Sequence, residues 1–151
     1  MADEGEVEAL LQMWREQHDQ ARQLEAQRAT LTNIVIVVAS AALGFVAQHG
    51  LEMTMLVVTV PLVGLGCYGV LACLKYHERL VLHHKAARRF SGGIEARLPS
   101  LLINETWAEL HAEQRLRFPR SFRVRLYVVW TALHVGVAMS GATLSVLILV
   151  G

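Results

Sequence analysis

Between Arg28 and Lys75 the chain almost lacks charge: Glu52 alone carries one. Cysteine is scarce too, with only Cys67 and Cys73, six residues apart in one apolar run, which excludes a disulfide framework and a C-x-x-C metal site. H-E-x-x-H, P-loop and nucleophile-elbow motifs are missing, and so are the ten-residue alternating segments of a membrane barrel. These absences point away from an enzyme, a metalloprotein and a nucleic-acid reader. Cys67 and Cys73 are read as small packing residues.

The chain is instead rich in long apolar runs. Its hydrophobic fraction of 54% exceeds the ~45–50% of ordinary soluble domains. The excess lies in Leu31–Gln48, Met53–Leu74 and Leu126–Val150, the first two separated by His49-Gly50-Leu51-Glu52. At ~1.5 Å per residue the first two runs extend ~27 and ~33 Å, against a bilayer core of ~30 Å. The expected fold is all-α and integral to the membrane, with a transmembrane hairpin (31–48 and 53–74) and a third span (126–150). Segments 1–30 and 75–125 form the cytoplasmic helical parts. The first run is no cleavable signal, because an acidic leader precedes it.

The 14 Lys and Arg residues nearly balance 13 Asp and Glu, but their distribution is steep. Arg15, Arg22 and Arg28 precede the first run, and all the others, from Lys75 to Arg125, lie between the second and third. The positive-inside rule places the N-terminus and 75–125 in the cytoplasm and Gly151 outside, in the inner (plasma) membrane. Lys75, Arg79, Arg120, Arg123 and Arg125 are the headgroup-facing, topology-setting cations, with Tyr127 and Trp130 at the same boundary.

After Gly5 no breaker interrupts the leader, so one helix is expected from about Glu4 to Gln48. Leu10, Trp14, Ala21, Leu24 and Leu31 form a thin apolar stripe into which Gln17 and Arg28 intrude. A second long helix is expected over Met53–Phe90, kinked at Pro61 and closed by a turn at Ser91-Gly92-Gly93. Folding the two about Gly50 sets residue i opposite about 101 minus i. Glu16 then faces Lys85, Glu25 faces Lys75 or Tyr76, and Arg22 faces Glu78 or Arg79, an antiparallel pair continuing below the membrane. A short helix follows from around Ser100 or Thr106 to Phe118, with Thr106-Trp107-Ala108-Glu109 fitting a capping box and Pro119 ending it.

Gly64-Leu65-Gly66-Cys67-Tyr68-Gly69 spells G-x-G-x-x-G, but a dinucleotide site needs a preceding strand, and this motif lies inside an apolar run. Close helix packing is the better use of such glycines. Ser40 and Gly44, Gly66, Gly69 and Cys73, and Ala132, Gly136 and Ser140 are accordingly the helix-packing or pore-facing candidates. His134 is the polar candidate within the third span. The constellations His77-Glu78 with His83-His84, and Glu105, Glu109, His111 and Glu113, lack metal-ligand spacing and read as interfacial or solvated faces. No cofactor is implied.

Lys75-Tyr76-His77-Glu78-Arg79, followed by His83-His84-Lys85-Ala86-Ala87-Arg88-Arg89 at the base of a helical hairpin, resembles the SLATT-type small bacterial membrane proteins. The likeness is one of architecture, covers Leu10–Phe90 and transfers no site residue. It implies a pore-forming effector paired with nucleotide-sensing partners in antiviral (anti-phage) defence. The expected function is a non-enzymatic homo-oligomer, a pore or membrane-perturbing effector gated through its cytoplasmic helices; the alternative is an anchor that recruits a cytoplasmic protein partner without conducting. The expected partners are the lipid bilayer, further copies of the chain and that cytoplasmic protein, with no nucleic acid. A reporter active only outside the cell should work when fused after Val150; activity of a fusion at Gly93 would refute the topology.

Overall fold

A computed structural model describes residues 4–119 and 125–151, and the described residues are almost wholly helical, with no strand. The helices are α1 (Glu4–His49), α2 (Leu56–Arg97), α3 (Ile103–Arg117) and α4 (Leu126–Val150). Three helical segments are long and apolar enough to cross a membrane: α1, α2 with the turn before it, and α4. Arg120 and Arg123 lie outside the described residues.

Glu4 and Glu6 complement the dipole at the start of α1, which runs unbroken for 46 residues. It stops at Gly50, whose φ of 79° is open to glycine, and whose N–H closes back on the Val46 carbonyl at 2.9 Å. A 3-10 turn at Met53–Met55 then leads into α2. Pro61 sits inside α2 near its start.

The expected turn at Ser91-Gly92-Gly93 is helical, and α2 continues to Arg97. Packing accounts for the difference. Ser91 is buried and its hydroxyl donates to the Arg88 carbonyl at 3.0 Å, while a Cβ at Gly93 would already touch the Leu10 side chain at 3.5 Å. Two glycines cost a helix only ~1 kcal/mol each, a preference that tertiary contact overrides. α3 begins at Ile103, between the two expected starts. Leu102 takes a left-handed φ of 45° and Ile103 opens the helix, with the cap supplied from outside: the Asn104 N–H donates to Glu95 Oε1 at 3.2 Å and its amide to Glu95 Oε2. The Thr106 box is therefore internal to α3.

The chain forms two compact units, Met1–Glu25 with Glu78–Arg125 and Ala26–His77 with Leu126–Gly151. In the first, α1 and α2 run antiparallel close to the expected register. His83 Nδ1–H donates to Gln17 Oε1 at 2.8 Å, Leu10 meets Gly93, and Arg97 donates to Glu6. Glu16 and Lys85 are exposed, and Arg22 pairs along its own helix with Asp19. In the second unit the buried positions fall on a three-four spacing: Arg28, Thr32, Val35 and Ala39 on α1; Thr59, Leu62, Gly66, Gly69 and Cys73 on α2; His134, Gly141 and Ile148 on α4. That is the seam of helices packed side by side. Val46, Met55 and Ile148 close one end of it. Ile34, Val37, Val57, Leu71, Met139 and Leu149 point outward.

The hydrogen bond from Arg97 holds the Glu6 carboxyl below its ordinary 4.5. A depressed folded value means that this contact contributes fully above about pH 4.5 and is lost as pH falls through the lower folded value. Hydrogen exchange of residues 4–10 should therefore quicken as pH falls through that window, after correction for intrinsic rates. Arg97→Gln should abolish the step and leave faster exchange at neutral pH.

Candidate functional site

The polar atoms of the second unit gather in the seam between α1, α2 and α4. His134, on the buried side of α4, is 0% exposed, and its Nε2 lies 3.2 Å from Thr32 Oγ1 on α1, a hydrogen bond between equally buried groups. Gly69 on α2 makes room for it, since a Cβ there would overlap the imidazole ring. One turn along, at i−4 on both α1 and α4, Arg28 is 5% exposed, with its guanidinium carbon 5.7 Å from the Trp130 ring centroid. A further step brings the His77 and Tyr127 rings together, stacked at 3.9 Å. In the other direction Ser145 on α4 hydrogen-bonds Thr59 Oγ1 at 2.8 Å and the Gly141 carbonyl at 2.9 Å.

Close backbone approach makes this column of contacts achievable. A Cβ at Gly66 would lie 2.7 Å from the Ala138 Cα, and one at Gly141 would lie 2.8 Å from the Thr59 carbonyl oxygen. A glycine on one helix thus lets the backbone of the other come close, Gly66 on α2 opposite Ala138 and Gly141 on α4 opposite Thr59 and Val63. Cys73, wholly buried, continues the α2 face.

Of the residues singled out in the sequence, Gly66, Gly69, Cys73 and His134 are brought together here. Ser40, Gly44, Ala132 and Gly136 are exposed, with open space where side chains of Gly44 and Gly136 would stand. Ser140 is partly buried and bonds the Gly136 carbonyl of its own helix at 2.9 Å. Lys75, Arg79 and Arg125 are exposed. His77 and His83 are engaged as already described, and among the described residues no three His, Cys, Asp or Glu side chains converge as metal ligands would.

Sequence reasoning missed Arg28, Thr32 and Thr59, and it set Gly141 and Ser145 only beside the small-residue stripe of the third span. Arg28 had been set below the first span as a flanking cation, whereas its side chain is buried in the bundle. The available signal was its place in the α1 stripe, at the i−4 position from Thr32. An arginine keeps its charge when buried, and the Trp130 face gives that charge a partner. Arg28 Nε, Trp130 Nε1 and His134 Nδ1 have no protein hydrogen-bond partner among the described residues. The column therefore offers one fixed positive charge on Arg28 and a buried hydroxyl–imidazole pair.

Gly69→Val should destabilise the folded chain by about 1–3 kcal/mol through overpacking against His134, read as a lower Tm in nanodiscs. Thr32→Val, which removes only the hydrogen bond, should cost about 0.6–1.7 kcal/mol, and Gly136→Ala should stay within about 0.5 kcal/mol of the parent. Equal effects at Gly69 and Gly136 would contradict this packing. No known protein family, curated protein or solved structure matches the chain.

Proposed function

We propose that the protein is a non-enzymatic, multi-pass protein of the inner (plasma) membrane that works as a homo-oligomer. In this reading its soluble helical hairpin receives a signal, the packing of the three spans responds, and a path opens between copies. Continuity carries the proposal: α1 over Glu4–His49 and α2 over Leu56–Arg97 are each one helix from the charged segment into the apolar one. A rotation or slide imposed on the charged part reaches the apolar part without an intervening loop.

Two further observations bear on how such a protein would conduct. The seam within one chain is filled, with Thr32, Val35, Thr59, Cys73 and His134 fully buried, so a conducting path belongs between chains. Ala132 and Gly136 stand outward on α4 with nothing against Gly136, which suits close contact with another copy. The same filled seam favours a second reading, an anchor that recruits a cytoplasmic protein and conducts nothing. The resemblance to SLATT-type proteins agrees with the first.

Purified protein in nanodiscs should be larger than one chain, and in liposomes it should pass ions when the active state is populated. Gly136→Leu should lower both assembly and flux while leaving the monomer folded. A monomer in nanodiscs would eliminate the pore. An intact oligomer without flux under any trigger would leave the anchor.

A further inference from the structure

The first unit contains a groove of about 590 Å³ that the reading above does not use. Each of three helices lines it with one face. Trp14 and His18 come from α1 at i and i+4; His84, Ala87, Arg88 and Ser91 come from α2 over two turns. From α3, Asn104, Trp107, Ala108 and His111 repeat the α2 spacing. The small residues are grouped usefully, since Ala87 and Ser91 are buried and form a floor that admits a flat group.

Its chemistry is selective. Two indoles supply aromatic surface, and Trp107 remains 54% exposed although it lines a cavity, which leaves ring area for an occupant. No carboxylate lines the groove, while Arg88, His84 and His111 supply donors. Among the described residues the Arg88 guanidinium has no ion-pair partner, whereas Arg97 and Arg22 have theirs. The nearest acid of α2 along the chain, Glu95, is already committed to Asn104 and the start of α3. His18 Nδ1 is likewise committed, to the Trp14 carbonyl at 3.0 Å, and this fixes the ring beside its indole, 4.1 Å between centroids. The volume falls within the ~300–1,000 Å³ of small-molecule sites.

We propose that this groove binds a small planar aromatic anion, its ring against Trp14 and Trp107 and its charge on Arg88. Bound there, the ligand bridges α3 to the α1–α2 pair, which otherwise hold α3 through Glu95 and a largely exposed face. The site stands whether or not the spans conduct.

The test is calorimetric titration of the full chain in nanodiscs, with empty nanodiscs subtracted. The probes are naphthyl phosphate and naphthoate as aromatic phosphate and carboxylate, with naphthol and inorganic phosphate as the two halves. At least one aromatic anion should bind saturably, and each half at least about tenfold more weakly, as expected for one charge-assisted contact. Arg88→Ala should reduce binding of the anion to that of naphthol. Trp107→Ala should reduce it to that of inorganic phosphate, and Trp107→Phe should restore most of it. Ala108→Trp, which removes no contact and fills the groove, should abolish binding while the helical circular-dichroism signal is unchanged. Failure of both aromatic anions to bind, or binding that survives Arg88→Ala and Ala108→Trp, would overturn the proposal.

Discussion

The structure of the second unit depends on the close approach of α4 to α2. At Gly66 and Gly141 the backbone of the opposite helix comes so near that no side chain fits between, and at Gly69 the His134 ring takes that space. Where helices pack in apolar surroundings there is little hydrophobic gain from contact, and dispersion across such an interface has to supply the attraction. The approach also decides what else is admitted. It carries His134 across to Thr32, and it seals that hydrogen bond from solvent. A polar pair in this position adds little to stability, but it allows one register of α4 and penalises its neighbours, because a slip would leave both groups without partners.

Much of this architecture was legible from charge and hydropathy. The blank between Arg28 and Lys75 marks two apolar runs, and the absence of breakers after Gly5 makes α1 one helix. The register of the α1–α2 pair followed from the place of the turn at Gly50. Other features were hidden because they depend on partners distant in sequence. Ser91-Gly92-Gly93 carries a local turn signal that the Leu10 contact defeats. The start of α3 is set by Glu95 rather than by the residues beside it. Gln17 and Arg28 looked like faults in an apolar stripe, yet each is a seam residue whose partner, His83 or Trp130, lies far along the chain.

The candidate site was legible in part for the same reason. Small residues announce that helices approach closely, but not whether the partner is the same chain or another copy. The glycines of this chain differ in what they meet. Gly66 and Gly69 are taken up by α4, whereas Gly136 faces outward. Periodicity could separate them only if the orientation of α4 were known, and that orientation is set by His134.

The seat for α4 also has a history during synthesis. Gly69 and His134 are far apart in the chain, and ribosomes add about 5–20 residues per second, so the hairpin waits for seconds before its third helix exists. Through that interval the α2 face that Gly66 and Gly69 leave bare has no α4 to fill it, and the order of synthesis makes the hairpin the template on which the last helix is fitted.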